Sequence, residues 1–346
     1  MRRTTPRRSL VLGALAVPLA LALVSTTDAA SAAAPRGTDT VNVVGYSVVS
    51  GVFTKLETAF QGTLAGKNVA FNNSFGASTT QANDVVAGQA ADVVNFSTEP
   101  DMQILVDNGL VGPKWNSTGA GKAEGGFVSD SVVVIVVRPG NPLHITGWPS
   151  LIKKGVQIVT PDPISSGSAR WNLLETYESQ IIQKKTPAAA AKYTNALVKN
   201  VVAEPSSGSK SLTAFLAGTG NVLLAYESDA SAAIAAGKAV KVIYPAQNIL
   251  IQTPAALTTT GSTNKGAKAF FTYLFSPKGQ SIWAHNAFRP TLKIVATATK
   301  ALFPHNYRPA ALTTIAKLGG WPAVINKFFS TNGIITKIEQ AHGWTS

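Results

Sequence analysis

Apolar and polar positions follow two rhythms along this chain. Val41-Asn42-Val43-Val44-Gly45-Tyr46-Ser47 reads as a strand that ends in small residues. Val52, Phe53, Leu56, Ala59 and Phe60 then recur at helical spacing over residues 52–61. A second unit follows: Val69-Ala70-Phe71 leads through a Ser-, Gly- and Thr-rich turn at 73–80 into a helix over 81–88. Ala91-Asp92-Val93-Val94-Asn95-Phe96 predicts a third strand, and residues 101–108 a third helix. Three strand–helix alternations with turns facing one way predict a parallel, doubly wound sheet.

The second half repeats the rhythm. Val132-Val133-Val134-Ile135-Val136-Val137 is apolar at every position, β-branched, and ended by Pro139-Gly140-Asn141-Pro142. Such a run suits a strand buried on both faces, and it is long enough to carry the chain from one domain to another. Further strands are predicted over 155–159, 221–228 and 240–244, and helices over 148–152, 169–183, 188–199, 212–217 and 229–236. Residues 249–258 read as extended and suited to crossing back. The remainder, 264–346, reads as mostly helical, with 267–275 its clearest amphipathic segment.

Composition adds limits. A chain of 346 residues is long for one domain, and 45% hydrophobic against 14% charged is ample for packed cores. The N-terminus reads as a targeting segment: four arginines in residues 1–8, an apolar run over 10–24, and Ala30-Ser31-Ala32 as a small-residue cleavage site. That run is short of the roughly 20 apolar residues a membrane span needs, so export with cleavage near residue 32 is expected, to a periplasmic or extracellular space. The Arg7-Arg8 pair leaves twin-arginine export open beside the ordinary route. The chain has no cysteine, which excludes disulfides, thiolate metal sites and a cysteine nucleophile. Its four histidines are scattered, so neither a metal nor another cofactor is expected. Net charge is +13, and removing residues 1–32 leaves the rest clearly basic. The lysines are not interleaved with aromatics, which argues for small anions and against nucleic acid.

Four turns share one composition: residues 45–47, 74–80, 165–168 and 206–211. The third follows a short strand and opens a helix. Ser before an apolar helix is a common N-cap, but a helix start with Gly and Ser is also how backbone N–H groups are offered to an anion. In open α/β sheets, ligands sit beyond the carboxyl ends of strands, where such turns gather. If the four converge, they supply a nest of N–H and O–H donors.

The ordered set of motifs resembles the sulfate- and thiosulfate-binding proteins of ABC importers, solute-binding proteins of the type II periplasmic fold. The resemblance runs through Ser74-Phe75-Gly76-Ala77-Ser78-Thr79-Thr80-Gln81-Ala82, Ala91 to Val94, Val137 to Pro142, Thr160 to Asn172 with Ser168 in place of a family Gly, Leu274 to Gln280, Arg289-Pro290 and Gly319-Gly320-Trp321. It implies an α/β protein of two doubly wound lobes with a ligand cleft between them. Lobe I is expected from residues 40–126 and 256–346, and lobe II from 127–255. It further implies a monomer that binds sulfate through uncharged donors and hands it to a membrane permease. The implied ligands are Ser78, Ser166 through its hydroxyl, the N–H groups of Gly167 and Ser168, and an N–H near Gly208 or Ser209. Two positions depart from the family: its Tyr-Asp in the first turn is Tyr46-Ser47 here, and its Trp in Leu-x-Ala-Trp-Glu is Tyr226. A backbone N–H survives the change at Ser47. At Tyr226 a phenol replaces an indole; both donate, but the phenol can also accept, which bears on specificity more than on where the anion sits.

Other readings are weaker. Thiosulfate, molybdate or phosphate would suit a related seat. Ser207-Gly208-Ser209-Lys210 matches Ser-x-x-Lys of penicillin-recognising serine enzymes, and Ser129-Asp130-Ser131 loosely resembles their second element. Their order is reversed, however, and Lys-Thr-Gly is absent, so no enzyme is expected.

Overall fold

The computed structural model of the chain describes residues 39–344. The expected signal segment, 1–32, lies outside them. Within them the order is β1 (Asp39–Tyr46), α1 (Ser50–Gln61), β2 (Val69–Gly76), α2 (Ser78–Val86), β3 (Val93–Asn95), α3 (Glu99–Asp107), β4 (Phe127–Ser131), β5 (Val133–Val137), β6 (Ile158–Val159), α4 (Gly167–Ile182), α5 (Pro187–Val198), β7 (Val201–Ala203), α6 (Gly208–Leu216), β8 (Val222–Tyr226), α7 (Glu227–Ala235), β9 (Lys241–Ile243), β10 (Asn248–Ile249), β11 (Ile251–Leu257), α8 (Lys265–Leu274), α9 (Pro277–His285), β12 (Arg289–Pro290), α10 (Lys293–Ala298), β13 (Leu312–Thr313), α11 (Trp321–Val324) and α12 (Ile334–Ala341).

Two mixed sheets carry the two lobes. The first runs β12-β4-β11-β3-β1-β2 and the second β7-β6-β8-β5-β9. Strands β1, β2 and β3 are parallel, as are β6, β7 and β8, while β4, β5, β9, β11 and β12 pair antiparallel. The antiparallel members include the segments that cross between lobes, which a parallel-only reading leaves out. The apolar run 132–137 lies in the second sheet as β5, while β4, just before it, pairs in the first, and Val132 joins the two strands. Val132 thus lies between a strand of the first sheet and one of the second, and Leu250 lies between β10 and β11. The last helices, from Trp321 on, pack on helices of the second lobe. Trp321 packs on Trp171 of α4 with ring centroids 4.9 Å apart, Phe328 on Tyr177 at 5.0 Å, and α12 against α5.

Alternation explains the cores. On β1, Val41 and Val43 face a cluster with Phe53, Phe60, Phe270 and Trp283, while Val44 faces another with Val94, Phe96, Met102 and Leu105. On β5, Val133, Ile135 and Val137 join the larger cluster, and Val134 and Val136 pack with Phe215, Leu223 and Ala230. Both faces of each strand are covered by helices, so both sets must be apolar. Each such side chain contributes about 1.5–3 kcal/mol by leaving water; a charge at Ile135 would break the second lobe at its centre.

Candidate functional site

Helices α2, α4 and α6 begin at Ser78, Gly167 and Gly208, earlier than the starts at 81, 169 and 212 that apolar spacing predicts. The Ser/Gly clusters are therefore first helical turns. Their N–H groups have no intrahelical partner and point out of the helix end. Each turn follows the carboxyl end of a parallel strand: Ser47 follows β1, Ser78 follows β2, Ser166 to Ser168 follow β6, and Gly208 and Ser209 follow β7.

The eight predicted residues meet at one place, where the lobes touch. Ser209 N donates to Ser47 Oγ at 3.4 Å across the cleft. The Tyr226 hydroxyl and Ser97 Oγ share a hydrogen bond of 2.6 Å between lobes. Gly167 lies against Ser97 and Thr98: a methyl group built on it would stand 2.8 Å from Ser97 Cβ and 2.9 Å from Thr98 Cγ2. Ser168 Oγ would be 3.1 Å from a methyl on Gly208, which joins the α4 and α6 entrances. Ser166 is extended at the N-cap of α4, yet its side chain makes no cap. Its hydroxyl is buried and donates to Ser168 Oγ at 3.4 Å. Ser207 does cap, accepting from Lys210 N at 3.3 Å, and Lys210 Nζ donates to Ser206 Oγ, so the Ser-x-x-Lys pattern is a helix cap.

A ring of residues that spacing did not pick out holds these groups. Ser78 Oγ accepts from Ser97 N at 2.9 Å and donates to Asp101 Oδ2 at 2.7 Å. The buried Asp101 carboxylate also accepts from Thr98 Oγ1 at 2.8 Å and Thr79 Oγ1 at 2.7 Å. Arg170 of α4 completes it from the other lobe, 3.4 Å from Oδ1. Thr79 N donates to Ser165 O at 3.1 Å, and Trp171 Nε1 to Ser97 O at 2.9 Å, two more ties between lobes. The signal for this ring was present: Ser97-Thr98-Glu99-Pro100 is a fifth helix entrance, with Thr98 at the N-cap of α3 and Pro100 in its first turn.

The electrostatics are those of a nearly uncharged donor set. Burial pushes the Tyr226 hydroxyl well above its ordinary range, with nearby Tyr46 adding to it, and burial raises Tyr46 too. Both stay protonated at neutral pH and keep an O–H to donate. Neighbouring charges are engaged: Asp101 with Arg170, and Glu227 with Arg289 through bonds of 2.7 and 3.0 Å. Asp229 is the exception, a carboxyl 5% exposed whose burial raises its pKa to about 7. Among the described residues no group of His, Cys, Asp and Glu is arranged to hold a metal ion. Among them, too, no helix is long and apolar enough to cross a membrane.

The family described as bacterial extracellular solute-binding protein matches residues 41–289. The chain is 34% identical to the sulfate-binding protein of Synechococcus elongatus over 87% of each chain. It is 30% identical to the thiosulfate-binding protein of Pseudomonas aeruginosa, covering 85% of this chain and 90% of that one. Among solved structures, the sulfate-binding protein SubI from Mycobacterium tuberculosis superposes with a TM-score of 0.79 at 37% identity, over 84% of this chain and all of that one. With two α/β lobes meeting at helix entrances, and with a match running from β1 to β12, the chain belongs to the bacterial extracellular solute-binding proteins.

Proposed function

We propose that this protein binds sulfate between its lobes and delivers it to the membrane permease of an ABC importer, acting as an exported monomer whose N-terminal signal is removed. The observation that carries the reading is the meeting of helix entrances from both lobes, at Ser78, Gly167, Gly208 and the turn at Ser47, with hydroxyls of Ser166 and Tyr226 among them. The proposed ligands are Ser47, Ser78, Ser166, Gly167, Ser168, Gly208, Ser209 and Tyr226. Sulfate carries no proton at neutral pH and only accepts hydrogen bonds, so a shell of donors suits it. Hydrogen phosphate brings a proton that donors leave unpaired, which costs about 1–3 kcal/mol. Helix N-termini supply the compensating partial charge without lysine or arginine. The role is capture, not catalysis.

Thiosulfate is the second reading, favoured by the 30% identical relative that binds it. Its charge matches sulfate and its terminal sulfur is larger. Calorimetry with sulfate, thiosulfate, molybdate and phosphate separates these readings. The expected result is tight sulfate binding with weak competition from phosphate at neutral pH. Heat with phosphate and none with sulfate would overturn it.

A further inference from the structure

An anion seat with a buried carboxyl in its wall poses an electrostatic conflict. A methyl group placed on Gly208 would stand 3.1 Å from Ser168 Oγ and 3.5 Å from Asp229 Oδ2, so hydroxyl and carboxyl flank the first residue of α6. Asp229 lies in the first turn of α7, 95% buried, and belongs to neither of the ion pairs found among the described residues. The titratable groups on the elements around it do not neutralise it. Tyr46 of β1 and Tyr226 of β8 are protonated phenols. Lys55 of α1 and His285 at the end of α9 line a cavity of about 300 Å³ with Asp229, and Lys55 Nζ there donates to Asn286 Oδ1. Lys210 of α6 is turned onto Ser206 Oγ. On α7 itself, Glu227 is bound to Arg289.

We propose that Asp229 couples anion capture to the uptake of one proton, so that the dianion is held with the Asp229 carboxyl protonated. This rests on reading the seat as a sulfate site. The partner of the Asp229 carboxylate is the Tyr226 backbone, a hydrogen bond that offsets burial only in part. A dianion beside an ionised carboxylate with no counter-ion meets like-charge repulsion in a poorly hydrated place, and protonation from solvent removes it. Burial has already raised the carboxyl to about 7, and an arriving anion raises it further. The sign follows: below pH 7 the carboxyl is already neutral and affinity is flat. Above it each captured dianion must bring a proton, so the association constant falls about tenfold per pH unit.

Titration calorimetry of the full chain with sodium sulfate from pH 6 to 9, in two buffers of different ionisation heat, tests this. The expected result is uptake of about one proton per sulfate at pH 8 and a slope of minus one in log affinity above pH 7. Asp229→Asn should be flat in pH and should equal or exceed the wild type at pH 9. His285→Gln, which alters the same cavity, should keep the slope. A wild-type affinity flat within twofold, or no proton uptake at pH 8, overturns the proposal even if the variant does not fold; so does Asp229→Asn with the wild-type slope. Absence of sulfate binding at every pH would instead overturn the sulfate reading, and this proposal with it.

Discussion

Asp101 is the residue on which lobe I's side of the site is built, and Asp101→Asn tests that construction. Four donors converge on its carboxylate: Ser78 and Thr98 hydroxyls on Oδ2, at 2.7 and 2.8 Å, and on Oδ1 the Thr79 hydroxyl at 2.7 Å and Arg170 Nη1 at 3.4 Å. An amide of the same shape offers one oxygen and one NH₂. Arg170 cannot accept, so the oxygen must stay on its side and the NH₂ must face Ser78 and Thr98. Ser78 Oγ already accepts from Ser97 N, so its own proton loses its acceptor inside the fold. A hydrogen bond to a charged group is worth about 1.5–3 kcal/mol, and two are lost, less what the hydroxyls recover by turning to accept. The expected loss in unfolding free energy is about 3–5 kcal/mol. Equilibrium urea unfolding at pH 7, followed by tryptophan fluorescence, measures it. Because Ser97 and Ser78 border the seat, anion affinity should fall at least about tenfold in the same variant, roughly 1.4 kcal/mol. A stability change under about 1 kcal/mol would refute the reasoning, since it would mean these hydroxyls are not held by the carboxylate.

Three further outcomes follow from the geometry. Ser166→Ala should weaken sulfate binding several-fold with little change in stability, because among the described residues the hydroxyl pairs only with Ser168 Oγ at 3.4 Å; unchanged affinity by calorimetry removes Ser166 from the ligand set. Gly167→Ala should hold the lobes apart, because the new methyl would meet Ser97 and Thr98 below 3 Å. Solution scattering should show a wider molecule in sulfate, and a closed profile would contradict this. Glu57, raised from 4.5 to about 7 by burial despite a 2.9 Å bond from Asn73 Nδ2, holds its proton more tightly folded than unfolded. Its contribution is present below pH 4.5 and lost as pH rises towards 7. Glu57→Gln should therefore raise the melting temperature at pH 8 and leave it nearly unchanged at pH 4.5; no gain at pH 8 counts against it.

What was legible in the sequence, and what was not, follows physical lines. The strand Val132–Val137 was visible because both-face burial leaves no polar position to interrupt it, and Val41–Val44 because three of its four residues are buried valines. The Ser/Gly turns were visible by composition, but the helix starts inside them were not, since Ser78, Gly167 and Gly208 carry no apolar side chain to set a period. Strand β7, three residues long at the sheet edge with an exposed Val202, left too short a pattern to detect. Asp101 and Asp229 were hidden for a different reason: an acidic residue in the first turn of a helix is ordinary, and only tertiary packing shows that one gathers four donors and the other flanks the first residue of α6. The docking of the C-terminal segment on α4 depends on Trp321 and Phe328 meeting Trp171 and Tyr177, contacts between residues about 150 positions apart that no local pattern encodes.

Helix entrances from two lobes are proposed to make one anion seat. A crystal structure of the protein grown with sodium sulfate as the only added divalent oxyanion tests it most directly. One sulfate should lie enclosed between the lobes, its oxygens within hydrogen-bonding distance of the Gly167, Ser168 and Ser209 N–H groups and the Ser166 hydroxyl. A sulfate bound elsewhere, on exposed Lys55 for example, with that seat holding none, would contradict it.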